Sequence, residues 1–409
     1  MNDIFLKLTP WESKNLHLPA ITTLTYYKGE VSLTHLRERI KEILELNPWL
    51  TSRLQKTKNG YHLKYNKSFD SEELLKKHFE IYNKDDFSIN IDLPYEEINQ
   101  EIGRTNCAPS KQIINTDEVM FKISLIPVTK NQFAIVISLN HTLGDGATYY
   151  SIFEMLSSNV KARELTPTRL DNFEIEKSEI MGKVESKLTN SLYLILGIIF
   201  KMLGNKLSAK TDTKVGINKI DLSVINKIKK KAKEVNFVST NDILTSWFFQ
   251  QAKSDTNFMV ANFRNRKLPS LSLTENNAGN YQGVIPYFNK DITSPSHIRK
   301  SIINKNGSFR AKRAFTPKIT FLQKIKFLKS KTSLITNWST FYKDLILTPK
   351  TGEEQLSPIL HYPIVELNSV IASSWNCAII FRPKIDELAI LVISSTKKLI
   401  KLEPVTNFC

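Results

Sequence analysis

The stretch VISLNHTLGDGATYYSIF, residues 136–153, changes character in its middle. A strand-like apolar run ends at His141. Asp145 and Gly146 follow four and five residues later, and apolar residues then return at helical spacing. A lone histidine in such a place is ordinarily a satisfied core residue. It is also well placed for proton transfer, because its unperturbed pKa lies near neutrality and a rigid strand carries it to the end of a sheet. Gly146 suits a tight turn that needs a permissive backbone, and Asp145 is placed to cap or brace the loop. Together they make His141 a candidate general base.

No nucleophile accompanies it. The sequence has no G-x-S-x-G elbow, and an aspartate four residues from a histidine is not the partner expected in a Ser-His-Asp relay. There is no H-E-x-x-H zinc site, no phosphate-binding P-loop and no G-x-G-x-x-G after a strand, so no metal site is expected. What remains is a solitary histidine base with a structural aspartate.

At 409 residues, 41% hydrophobic and 24% charged, the chain has the length and composition for two ordinary globular cores. Cys107, Cys377 and Cys409 are few, odd in number and far apart, which points to a reducing compartment. The opening MNDIFLKLTPWESKN lacks the layout of a signal peptide, and a soluble, cytoplasmic protein is expected. The longest apolar run, SLYLILGIIFKMLG at 191–204, is broken by Lys201 and is shorter than the roughly 20 residues needed to cross a bilayer. Nothing demands more than a monomer.

Outward from the central stretch, VMFKISLIPV and FAIVISLNH are two alternating runs joined by a short polar link, an antiparallel pair. LPAITTLTYYKG reads as a strand ending at Gly29. After it, Leu33, Leu36, Ile40, Ile43 and Leu44 share one helical face, with Ser32 as N-cap and Asn47-Pro48 as stop. GYHLKYN is a short strand. In the second half, LSVINKIKKKAKEV and VSTNDILTSWFFQQA read as helices. FMVANF, SLITNW, PIVELNSVIASSW, NCAIIFRP and ELAILVISS read as strands. Helices mixed with strands in both halves indicate an α/β or α+β protein.

The HxxxDG pattern at a strand end resembles that of the chloramphenicol-acetyltransferase-like (CAT-like) superfamily of CoA-dependent acyltransferases. That superfamily includes BAHD and alcohol acyltransferases and the condensation domains of peptide synthetases. Other segments resemble it in order: LTHLRERIKEILELNPWLTSRL its first helix, VSTNDILTSWFFQQA a helix beginning Ser-x-Asn-Asp. ANFRNRKLPSLSLTENNAGNYQG is similar to its Arg-x-Arg, Leu-Pro, Gly-Asn stretch, and LITNWSTF to a late strand. The resemblance implies an α/β fold of two CAT-like subdomains, each a mixed sheet with helices, meeting at a central tunnel. The first subdomain would span 1–165, a crossover 166–215 and the second subdomain 216–409.

The resemblance further implies one-step transfer of an acyl group from acyl-CoA, a co-substrate and not a tightly bound cofactor, to a small alcohol or amine. His141 would be the base. Asp145 would pair with Arg264 or Arg266 to hold the loop, and Asn337, Ser339 or Thr340 would donate to the oxyanion. The family's second histidine before the motif, found in condensation domains, is Asn140 here, and the Asp-Phe-Gly-Trp-Gly motif of BAHD enzymes is absent.

Net charge is +17, and no acidic residue lies between Asp291 and Asp344 while lysines and arginines abound there. Such a block attracts anions. Without zinc-finger or RNP-type signatures it does not read as a nucleic-acid surface. Arg310, Lys312 and Arg313 are candidates for docking the phosphates of CoA. Three alternatives remain: an acidic acyl-carrier protein as donor, lipid or wax-ester synthesis in transient contact with a membrane through the block and the 192–203 run, and a non-catalytic binding protein of the same fold.

Overall fold

The computed structural model describes residues 3–67, 70–181, 213–233, 237–266, 268–287, 292, 294–302, 331–352, 354–395, 400, 402 and 405. Two mixed sheets and one small sheet carry the described chain. Its strands are β1 (Asp3–Lys7), β2 (Ile21–Lys28), β3 (Arg53–Thr57), β4 (Gly60–Asn66), β5 (Phe79–Ile81), β6 (Phe121–Thr129) and β7 (Gln132–Leu139). They continue with β8 (Lys214–Ile220), β9 (Thr256–Asn262), β10 (Gln282–Tyr287), β11 (Thr332–Asn337), β12 (Pro358–Ile364), β13 (Asn376–Phe381) and β14 (Leu388–Ser394).

The first large sheet has the order β12-β2-β7-β6-β5 and the second β10-β9-β11-β13-β14-β8; β1, β4 and β3 form a separate three-stranded sheet. β7 lies between β2 and β6, antiparallel to both, with Leu139 opposite Ile21 on one side and Phe121 on the other. Seven of its eight residues are buried, so its sequence is a continuous apolar run. The helix Leu33–Leu46 buries Leu36, Ile40, Ile43 and Leu44, and Ser32 caps it. Leu33, which shares that periodicity, is exposed because it lies in the first turn.

β12 comes from the second half of the sequence yet completes the first sheet, antiparallel to β2. Pro358 and Pro363 in it suit an edge position, where missing N–H donors cost no ladder bond on the open side. The first sheet therefore draws strands from both halves of the sequence. The segment PIVELNSVIASSW does not continue as a strand: after Ile364 the chain loops, and Ser369 accepts from Ala372 N–H to cap a short helix, Val370–Ser374. A local side-chain cap outcompetes the β-branched composition there. The 192–203 run lies outside the described residues. Among those residues, no helix is long and apolar enough to cross a membrane.

Candidate active site

Where β7 ends, Asn140 anchors the turn. Its side-chain Nδ2 donates to Ala108 O at 2.7 Å, and its Oδ1 accepts from Thr142 N–H at 2.9 Å and Ser110 Oγ at 2.6 Å. It is buried and fully engaged, so it serves the backbone. The loop from His141 then runs to Asp145, the N-cap of the helix Gly146–Met155, whose carboxylate accepts from Thr148 N–H at 3.1 Å.

Of the two arginines named from the sequence, Arg264 is the one that meets Asp145, Nη1 to Oδ2 at 2.8 Å with both side chains almost wholly buried. Arg264 also donates to Asn277 O at 2.9 Å, Gly279 O at 3.0 Å and Thr148 Oγ1 at 2.9 Å. Arg266 is exposed, and its backbone N–H closes a turn onto Phe263 O at 3.3 Å. The β9–β10 connection, which carries Arg264, is thereby stitched to the histidine loop of the first sheet; Asp145 N–H to Gly279 O at 3.1 Å and Tyr281 N–H to Asp145 Oδ2 at 2.9 Å complete the seam.

Gly146 does not occupy a positive-φ turn; it opens the helix, and its missing side chain leaves room for Trp338, whose Nε1 would stand 3.4 Å from a Cβ. The stricter requirement falls on Gly144. A Cβ there would lie 2.5 Å from Thr148 Cγ2 and 2.6 Å from Thr148 Cβ. Thr148 cannot yield, because its Oγ1 accepts from Arg264 Nη2 at 2.9 Å and Gly279 N–H at 3.1 Å. Gly144→Ala is expected to cost about 1–3 kcal/mol through overpacking, read as a lowered thermal midpoint; an unchanged midpoint would show that the loop relaxes freely.

His141 is part-buried and packs beside Trp11, ring centroids 6.4 Å apart. Its Nδ1 meets Asn280 Oδ1 at 3.1 Å. Burial holds its pKa below the ordinary histidine value, opposed by its own backbone, Asp145, Asn280 and Glu12. A neutral imidazole with one nitrogen occupied is equipped to accept a proton at the other. Glu12, Arg169 and Asn280 were not singled out from sequence, although all three are buried around this ring.

A cleft of about 320 Å³ lies beside the loop, walled by Asp145, Gly146, Asn262, Gln282, Asn337 and Trp338, among others; His141 is not in its walls. Of the three proposed oxyanion donors only Asn337 reaches this cleft. Its Oδ1 accepts from Ser339 N–H at 3.0 Å and Oγ at 2.7 Å, and its Nδ2 donates to Asn241 at 3.1 Å, which leaves one amide hydrogen. Ser339 spends its hydroxyl on Asn337, and Thr340 is exposed. Arg310, Lys312 and Arg313 lie outside the described residues.

No protein-family model matches the sequence, and no curated protein matches it. Solved structures do. The first condensation domain of the calcium-dependent antibiotic synthetase, in complex with a substrate analogue, is 9% identical and covers 96% of this chain and 91% of its own, with a TM-score of 0.57. F. graminearum TRI101 complexed with ethyl coenzyme A is 11% identical over 96% of this chain and 95% of its own, also at a TM-score of 0.57. The same protein with coenzyme A and T-2 mycotoxin aligns at a TM-score of 0.56 with 10% identity. The chain has the α/β fold shared by condensation domains and TRI101.

Proposed function

We propose that the protein is an acyl-CoA-dependent acyltransferase that moves an acyl group from the CoA thioester to a hydroxyl or amine of a small acceptor. The observation that carries this reading is the His141 ring, neutral by burial and held at Nδ1 by Asn280. Its fold is shared with TRI101 structures that hold coenzyme A.

In the reaction, His141 Nε2 takes the proton of the acceptor O–H or N–H as that atom bonds to the thioester carbonyl carbon. The tetrahedral oxyanion collapses with cleavage of the C–S bond, and the imidazolium returns its proton to the CoA thiolate. No acyl-enzyme forms. Asn337 supplies the remaining amide hydrogen toward the oxyanion. Asp145 and Arg264 act on the loop's shape.

The test is free-thiol release from acetyl-CoA and longer acyl-CoAs with a panel of alcohols and amines. His141→Ala is expected to lower acceptor-dependent release by roughly 10²–10⁴-fold. Because the folded pKa lies below 6.5, the neutral base persists at neutral pH, and kcat/KM should fall only as pH drops through a value under 6.5. Thiol release that survives in His141→Ala overturns the mechanism. Activity with an acyl-carrier thioester but none with any acyl-CoA moves the donor to a carrier protein.

A further inference from the structure

Three polar side chains from distant parts of the sequence meet behind His141, and the Asn280 amide is their pivot. Its Nδ2 donates to Glu12 Oε1 at 3.0 Å and to the His141 carbonyl at 2.9 Å. Carboxylate and carbonyl oxygens only accept, so the amide has a single allowed orientation. Asn280 Oδ1 must then face the ring, where it lies 3.1 Å from Nδ1. An amide oxygen also only accepts. Nδ1 must carry the hydrogen, and the lone pair of the neutral imidazole is left on Nε2.

Glu12 is fixed in its turn. Arg169 Nε lies 3.0 Å from its Oε1 and 3.2 Å from its Oε2, and Thr9 N–H donates to Oε2 at 3.0 Å. Arg169 Nη2 also donates to Thr142 O at 2.9 Å and Leu143 O at 3.1 Å, the two carbonyls that follow His141. The guanidinium that holds the carboxylate thus also grips the loop that carries the base.

We infer that Glu12 is a positioning residue: through Asn280 it imposes the Nδ1–H tautomer on His141, with Arg169 holding it in place. The inference rests on the reading of His141 as the base, but it concerns the resting enzyme and can be measured without substrate. Glutamine at position 12 keeps the shape and removes the carboxylate's share of the compulsion, leaving the His141 carbonyl to hold Asn280 Nδ2. With its oxygen toward Thr9 N–H, its amide would set a donor against Asn280 Nδ2 and bring up a population in which that side chain has turned over. In that population Asn280 Nδ2 faces the ring, which requires the lone pair on Nδ1 and the hydrogen on Nε2.

The experiment labels the protein's histidines with nitrogen-15 and records long-range proton–nitrogen correlations of the full chain, with His141 assigned by its loss in His141→Ala. The wild type is expected to show a protonated, pyrrole-type Nδ1 and a pyridine-type Nε2. Glu12→Gln should bring up the opposite tautomer and lower kcat on the order of 10- to 100-fold with KM little changed, as loss of a partner that orients a functional imidazole does. Asn280→Ala, which removes the side-chain acceptor at Nδ1, should also mix the tautomers and tests the Asn280 link of the relay if Glu12→Gln does not fold. A wild-type ring protonated on Nε2 overturns the inference. So do ring signals that stay unchanged in both variants. A wild type that shows the Glu12-dependent tautomer yet transfers no acyl group supports the inference and sinks the proposed function instead.

Discussion

Arg264→Leu is expected to destabilise the protein by about 3–5 kcal/mol, because it leaves the Asp145 carboxylate buried without its counter-charge. The side-chain exposures of 1% for Arg264 and 3% for Asp145 put both groups beyond the reach of bulk water. Water cannot replace the lost partner there. The same substitution strips donors from Asn277 O and Gly279 O, and an orphaned buried acceptor adds to the cost. The thermal midpoint should fall on the order of 5–10 °C. Activity should fall with it, since the seam from Asp145 to Gly279 and Tyr281 also fixes Asn280, the partner of the His141 ring. A cycle of Asp145→Leu, Arg264→Leu and the double variant measures the coupling directly: the double variant should be more stable than either single loss would suggest when added. Strict additivity would mean that the pair contributes nothing, and the loop would then owe its shape to Asn140 and Arg169 alone.

The histidine loop was readable from sequence because its determinants are local. An apolar strand, an N-cap aspartate and a helical period all fall within residues 136–153, and the structure places β7, Asp145 and the helix Gly146–Met155 there. The partners of His141 were not readable for the opposite reason. Glu12 reaches Arg169 across 157 positions and Asn280 across 268. Its only local signal is T-P-W-E, a capping box with proline in the first turn, and that pattern already accounts for a glutamate without any wider role. The membership of β12 in the first sheet was hidden likewise: an edge strand carries no mark in its own residues of which sheet it will join. Gly146 was singled out for backbone freedom, whereas it is at Gly144 that a neighbour, Thr148, excludes a side chain. Steric exclusion of that kind depends on a neighbour's position and is invisible in a string of letters.

The protein is expected to lose stability steeply below pH 6.5, and two histidines that take no part in the proposed reaction are the main cause. His361 has no exposed surface: Nδ1 meets Thr25 Oγ1 at 2.9 Å, Nε2 meets the Tyr150 hydroxyl at 3.1 Å, and the ring packs 4.5 Å from that of Tyr342. Burial pushes its pKa down to about 3. His78 is equally enclosed. Its Nδ1 donates to Phe121 O at 2.7 Å, while Nε2 is buried without a partner, so a proton there would have nothing to bond to. Burial pushes its pKa down to about 4, with Arg53 and Lys77 adding to the effect against the one hydrogen bond that favours charge. Both folded values lie below the unfolded 6.5. Above pH 6.5 neither state binds a proton at these sites and stability does not depend on them. As pH falls below 6.5 the unfolded chain gains protons that the folded one refuses, and stability drops until pH passes the folded values near 4 and 3. Each pH unit in that window costs about 1.4 kcal/mol per histidine, so the pair removes on the order of 5 kcal/mol by pH 4.5. That is comparable to the whole stability of many domains, roughly 5–15 kcal/mol. Denaturant midpoints of the wild type, His78→Gln and His361→Gln between pH 7.5 and 4.5 separate this from general acid sensitivity. Each variant is expected to be less stable than the wild type at pH 7.5, having lost a packed ring, yet to decline less steeply, with one fewer proton taken up on unfolding. If both variants keep the wild-type slope, the protons that unfold the protein bind elsewhere, and the carboxylates of the buried ion pairs become the groups to replace next.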